Sequence, residues 1–269
     1  MKITKEIILS KKSKEKLVAL TAYTYPIAKI IDQFCDIILV GDSLGMTIYG
    51  MKDTVDVSLE MMINHGKAVT KACKKSFIVV DLPFGSYEQS KHQALESAKK
   101  IIDETGCDAI KIEIDKSLIT NLEFLIKNNI NVMGHVGLLP QSVRKIGGYH
   151  YQGTNDKSAQ EIFETAILAE EAGAFSLVIE AVPAELATKI SQKIKIPTIG
   201  IGASLECDGQ ILVIDDLLGL NQEFKPRFVN NYEELAKKIS QAVENFTNDV
   251  RSKNFPKKNN LYTNHISNI

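Results

Sequence analysis

Five short apolar runs in this chain end on a residue able to do chemistry: Ile38-Leu39-Val40-Gly41-Asp42, Phe77-Ile78-Val79-Val80-Asp81, Ala109-Ile110-Lys111-Ile112-Glu113, Asn131-Val132-Met133-Gly134-His135 and Ser176-Leu177-Val178-Ile179-Glu180. In a parallel sheet the carboxyl ends of all strands point to one face, and ligands bind there. Asp42, Asp81 and Glu113 are then oxygen donors from three successive strands. A hard divalent ion such as magnesium takes such ligands and keeps waters that a substrate can replace. Zinc would recruit more histidine or cysteine, and only His135 stands with the carboxylates.

Lys111 precedes Glu113 by two residues, so in a strand both side chains face the same side. It can compensate buried carboxylates or bind the carboxylate or enolate oxygen of a substrate. Ser43 follows Asp42 inside the Gly-bounded turn Gly41-Asp42-Ser43-Leu44-Gly45, where a hydroxyl and backbone donors can hold an anion. His135 is either a structural hydrogen-bonding group or an acid–base residue. Glu180, ahead of Ala181-Val182-Pro183, is a candidate proton acceptor or a charge at a helix amino terminus. Gly200, Gly202 and Gly209 mark close backbone approach near the last two strands.

Elements that alternate along the chain must position these groups. Besides the five runs, strands are expected at Leu17 to Ala22, Thr198 to Ile201 and Ile211 to Ile214. Between them lie amphipathic helices. Ser58 caps one through His65 to about Lys71, and another runs from Gln89 to Thr105 with Gly106 at its stop. Ser158-Ala159-Gln160-Glu161 reads as a capping box whose helix ends at Gly173, and Pro183 opens the next helix. Eight strands separated by helices predict a (β/α)8 TIM barrel. No GxGxxG follows a strand, which removes the main support for dinucleotide binding. The expectation is one α/β domain over residues 1–269. It closes with a helix from Tyr232 to about Val250 and a loose tail from about 252.

Composition sets the outer bounds. A net charge of −1 over 269 residues gives no reason to expect nucleic acid or an anionic membrane as partner. The basic pairs Lys11-Lys12 and Lys257-Lys258 read as solvated ends. Cys35, Cys73, Cys107 and Cys207 include no CxxC pair and fit a reducing compartment. Only Ile7-Ile8-Leu9 interrupts the lysine-rich start, and no segment approaches the ~20 apolar residues of a membrane span. A cytoplasmic enzyme is the expectation.

Larger segments carry a resemblance. Leu20-Thr21-Ala22-Tyr23, VGDSLGMT (Val40 to Thr47), Asp81-Leu82-Pro83-Phe84, IKIE (Ile110 to Glu113) and GHVGLLPQS (Gly134 to Ser142) come in order. Gly147-Gly148-Tyr149 with Gln152-Gly153, PTIGIGA (Pro197 to Ala203) and DGQILV (Asp208 to Val213) follow. Together they resemble the ketopantoate hydroxymethyltransferase family. The resemblance implies a barrel of the phosphoenolpyruvate/pyruvate-binding type, one magnesium ion, 5,10-methylenetetrahydrofolate as one-carbon donor and 3-methyl-2-oxobutanoate as acceptor. It also implies a homodecamer, a dimer of pentamers. On that analogy Asp42 and Asp81 bind the metal and the chelated substrate, and Glu113 completes the metal site. Ser43 and Lys111 contact substrate, and Glu180 accepts the proton with His135 nearby. Thr24, Thr154 and Ala181 depart from the family pattern. Two alternatives remain open: a carbon–carbon lyase or phosphonate mutase barrel with the same kind of site, and a non-catalytic barrel that only binds an oxo acid.

Overall fold

The computed structural model describes residues 2–221 and 225–262. Eight parallel strands pair in chain order: β1 (Leu17–Thr21), β2 (Ile37–Val40), β3 (Phe77–Asp81), β4 (Ala109–Glu113), β5 (Val132–Gly137), β6 (Ser176–Glu180), β7 (Thr198–Ile201) and β8 (Gly209–Leu212). β1 also pairs with β8 and closes the barrel, as the rhythm of strands and helices predicts. β8 starts two residues earlier than expected, and Ile214 opens a short helix instead. The reason is Gly209. A Cβ there would lie 2.6 Å from the Leu17 carbonyl oxygen, so only glycine lets β8 come this close to β1.

Helix caps fall close to their predicted places. Ser58 accepts from the Met61 N–H at the start of Leu59–Ala72. Ser90 caps Lys91–Thr105, and Gly106 ends it in the left-handed conformation. The capping box of Asp156–Glu171 is displaced by three residues: Asn155 is the cap and Ser158 its reciprocal partner. Asn155 already supplies a side-chain acceptor, so Ser158 falls in the first turn rather than before it.

The barrel interior is apolar in its lower half. Leu17, Ala19, Ile37, Leu39, Phe77, Val79, Ala109, Met133, Val178, Ile199 and Ile211 form a buried cluster that Ile3 and Ile8 of the amino-terminal segment complete. Lys11 and Lys12 are not solvated. Lys11 Nζ lies 2.8 Å from Asp36 and Lys12 Nζ 2.7 Å from Asp208, with side chains only 17% and 14% exposed. Their partners stand far away in sequence, beyond the reach of local charge patterning.

The described residues group into two compact units. The first runs to Ile214, includes Arg227–Val229 and carries the barrel. The second contains helix Leu235–Arg251, which buries no residue and exposes Ile239, Val243, Phe246 and Val250. Of the tail, residues 252–262 are exposed, with one short turn at Lys258–Asn260, and 263–269 lie outside the described residues. No helix among the described residues is long and apolar enough to cross a membrane.

Candidate active site

Alternation along the strands carries the apolar interior directly into a charged layer. The inner face of β3 reads Phe77, Val79, Asp81; that of β4 reads Ala109, Lys111, Glu113; that of β5 reads Met133, His135, Gly137. β6 ends on Val178 and Glu180. Register sets Asp81 beside Lys111, Glu113 beside His135, and Gly137 beside Glu180. Asp42 joins from the turn after β2, which leads straight into the short helix Leu44–Thr47. Asp42, Asp81, Lys111, Glu113 and His135 are buried, while the Glu180 side chain keeps 15% of its exposure.

The contacts are short and specific. Asp81 Oδ2 accepts from the Asp42 N–H at 3.0 Å, and Lys111 Nζ lies 3.1 Å from Asp81 Oδ1. His135 Nε2 stands 3.2 Å from Glu180 Oε2, although neither ring nitrogen makes an aligned hydrogen bond. Ser43 Oγ shares a 2.8 Å hydrogen bond with the Tyr23 hydroxyl. All seven expected residues therefore reach one end of the barrel. Close packing of strand ends holds the layer: a Cβ on Gly137, at φ +98°, would lie 2.2 Å from the Glu180 carbonyl oxygen. The next residue, Ala181, sits at φ +46°, a conformation costing about 1–2 kcal/mol for a residue with a Cβ.

Burial dominates the electrostatics. It pushes Asp81 up to about 7 despite Lys111, and the neighbouring Asp42 adds to the rise. Asp42 is raised by the same cause, and Glu113 is carried well above the usual carboxylate range by burial and the Asp42 charge. Burial works against the Lys111 ammonium, but Asp81, Asp42 and Glu113 outweigh it and raise its pKa. His135 goes the other way, lowered first by burial and then by Lys111, so it is neutral near pH 7.

Four carboxylates thus face one ammonium, and buried Asp81 Oδ1 meets Lys111 Nζ at 3.1 Å without an aligned hydrogen bond. That donor set is short of positive charge and suits a hard cation. It is not a ready three-residue cluster, however. Among the described residues, no three His, Cys, Asp or Glu side chains gather as metal ligands. Glu113 is engaged by Gln141, whose backbone N–H donates to both Glu113 oxygens at 3.1 and 3.2 Å. Asp42 and Asp81 stand together, and Glu113 is held by the protein.

Three residues of this layer escape sequence reasoning: Gln141, Tyr87 and Tyr23. Gln141 Nε2 donates to Asp42 Oδ2 at 2.8 Å, and the Tyr87 hydroxyl donates to Gln141 Oε1 at 2.6 Å. Gln141 lies in the short turn Pro140–Ser142 and Tyr87 in the loop after β3, where no periodicity marks them. Gln141 and Tyr23 carry a signal only as members of GHVGLLPQS and Leu20-Thr21-Ala22-Tyr23, and Tyr87 stands without one in the polar loop Gly85-Ser86-Tyr87-Glu88.

Comparison with known proteins extends the reading beyond the barrel mouth. Residues 2–258 match the family model described as ketopantoate hydroxymethyltransferase. The 3-methyl-2-oxobutanoate hydroxymethyltransferase of Paracoccus denitrificans (strain Pd 1222) is 49% identical over 249 residues, 93% of this chain and 90% of that protein. Among solved structures, phosphonopyruvate hydrolase superposes with a TM-score of 0.63 at 11% identity, covering 98% of this chain and 92% of that one. 2,3-Dimethylmalate lyase, a member of the PEP mutase/isocitrate lyase superfamily, gives 0.59 at 12% identity over 93% and 89%. These two share the fold, whereas the sequence match runs through every strand end described above. By that match, the chain belongs to the ketopantoate hydroxymethyltransferase family.

Proposed function

We propose that this protein is a magnesium-dependent 3-methyl-2-oxobutanoate hydroxymethyltransferase. It transfers a one-carbon unit from 5,10-methylenetetrahydrofolate to the oxo acid to give 2-dehydropantoate, the first step toward pantothenate. The observation that carries the reading is the inward layer itself, an excess of buried carboxylate around one lysine with a partly exposed glutamate at its edge. Family membership supports the choice of substrates.

Asp42 and Asp81 would hold the metal, and Glu113, whose oxygens accept from the Gln141 N–H, would complete the carboxylate set around it. Magnesium bound there would supply a Lewis acid that draws electron density from the oxo acid's carboxylate and keto oxygens. Ser43, steadied by Tyr23, and Lys111 bind the anionic substrate. Glu180 accepts the C3 proton, and Lys111 meets the negative charge left behind. His135, 3.2 Å from Glu180 and made a weaker base by burial, stands beside that carboxylate at the edge of the site. C3 then bonds to the methylene carbon and a water oxygen becomes its hydroxyl, as the two carbon–nitrogen bonds to the folate break; the proton held by Glu180 and one from water go to those nitrogens, and tetrahydrofolate leaves. The folate carries the one-carbon chemistry, and the protein supplies position and charge.

We also propose a cytoplasmic homodecamer built as a dimer of pentamers. The uncovered apolar stripe on Leu235–Arg251 supports self-association, and sedimentation velocity reports the number of subunits. The activity is tested with purified protein, magnesium, oxo acid and methylenetetrahydrofolate, following 2-dehydropantoate formation and omitting each component in turn. Product formation that needs all three supports the proposal. Cleavage of the oxo acid without folate would replace it with a lyase, and no reaction with any combination would leave a binding protein.

A further inference from the structure

Gln141 lies on no strand and carries no charge, yet its backbone N–H and both polar side-chain atoms are committed inside the site. Their direction can be worked out. The Glu113 N–H donates to the Tyr87 hydroxyl oxygen at 3.2 Å, so the single Tyr87 proton must be given elsewhere. Gln141 Oε1 at 2.6 Å is a closer acceptor than the Glu113 carbonyl at 3.3 Å. With its oxygen turned to Tyr87, the amide must turn its NH2 to Asp42 Oδ2 at 2.8 Å and the Leu82 carbonyl at 3.0 Å. Two N–H groups meet two acceptors. The flipped amide would set an oxygen against both, so the orientation is unique. Tyr87 is fully buried and its carbonyl accepts from Asn121 Nδ2 at 2.9 Å, which fixes the start of the chain.

We infer that Gln141 is a positioning residue. Acting through Asp42 and Glu113, it commits Asp42 Oδ2 and both Glu113 oxygens to the protein, leaving Asp42 Oδ1 as the oxygen available to a divalent cation. This rests on the proposed metal role of Asp42. Groups outside the coordination sphere that orient ligands commonly matter 10–100-fold to metal affinity. A glutamate at 141 would face Asp42 with a second carboxylate; a leucine would take the donor from Asp42 Oδ2 and leave the Tyr87 proton only the more distant Glu113 carbonyl.

The test is calorimetric titration of magnesium alone into metal-free wild type, Gln141→Leu, Tyr87→Phe, the double variant and Asp42→Asn, with circular dichroism to check folding. Gln141→Leu should weaken magnesium binding ~10–100-fold, and high magnesium should restore its kcat, which a damaged fold would not allow. Tyr87→Phe should weaken binding by less, because the Gln141 amide loses its orienting proton and the Glu113 N–H its acceptor while the Gln141 NH2 stays on Asp42 Oδ2. The double variant should match Gln141→Leu, since Tyr87 acts through Gln141. Losses that add in the double variant would overturn the directional chain. Wild-type affinity in Gln141→Leu, with affinity lost in Asp42→Asn, would overturn the inference alone. Wild-type affinity in Asp42→Asn would instead overturn the metal reading beneath it. If Gln141→Leu does not fold, Tyr87→Phe decides, and unchanged affinity there counts against the inference.

Discussion

The two ends of the barrel use the same residue types for opposite purposes. At the amino-terminal end, acids placed just before strands accept from the strand that precedes them. Asp36 takes the Val18 N–H at 2.9 Å, Asp108 the Ile78 N–H at 2.7 Å and Asp208 the Thr198 N–H at 2.8 Å. Each also pairs with a lysine from the start of the chain: Lys11, Lys2 and Lys12. Burial opposes the Asp208 charge, yet Lys12 and three backbone or hydroxyl donors hold it below the usual carboxylate range. At the carboxyl end burial prevails, and Asp42, Asp81 and Glu113 all rise. Each acid has its own lysine at the amino-terminal end, while at the carboxyl end Lys111 is the one lysine among four carboxylates.

The largest effect that would test this contrast is expected at the mouth. Glu180→Gln should cut exchange of the substrate's C3 proton in deuterated water, with magnesium and no folate, by ~10²–10⁴-fold at unchanged melting temperature. Exchange at the wild-type rate would move the base elsewhere, with His135 the next to be tested.

At the opposite end Asp208→Ala should cost stability and spare the chemistry. Loss of the carboxylate removes the Lys12 ion pair and leaves the Ser13 and Thr198 N–H groups without their acceptor, which should take about 3–5 kcal/mol from unfolding in urea, with kcat of the folded fraction unchanged. A drop in kcat with stability intact would erase the division between the ends.

Proton linkage gives a third and smaller contrast in metal-free protein. Asp81 is raised to about 7 when folded, so between its unfolded value near 3.9 and 7 the folded state holds a proton the unfolded chain has released. Stability therefore falls as pH rises through that window. Asp208 is depressed, so its stabilisation is present above ~3.9 and is lost as pH falls through its folded value. Asp81→Asn should become more stable relative to wild type by roughly 1–4 kcal/mol between pH 5 and pH 8. A pH-independent difference would show that Lys111 keeps Asp81 ionised throughout.

The smallest effect is expected for Lys11→Met. Its partner Asp36 retains the Val18 N–H, so about 1 kcal/mol or less should be lost, without change in activity. A loss as large as that of Asp208→Ala would mean that the lysine pairs, rather than the backbone bonds, fasten this end.

What could be read in the sequence follows from how far each cause reaches along the chain. Asp81, Lys111, Glu113 and Glu180 were legible because a charged residue at inward parity interrupts an apolar strand, a pattern contained within five residues. Ser58 and Gly106 were legible because caps act within one helical turn. Gln141 was not, since what makes it matter is Tyr87 54 residues away and Asp42 99 residues away. Lys12 was misread for the same reason. The start of β8 was missed because Gly209 belongs to the strand by closeness to β1, which no alternation records.

Closure of the barrel also sets the order in which the chain can be finished during synthesis. Lys12 waits 196 residues for Asp208, and β1 waits almost as long for β8. Until then two strand edges stand open, and long-range closure is slow. Lys16, which ends with its ammonium on the carbonyls of Leu205 and Cys207, lies beside the waiting edge of β1. A positive charge there discourages a neighbouring nascent chain from adding itself as a strand.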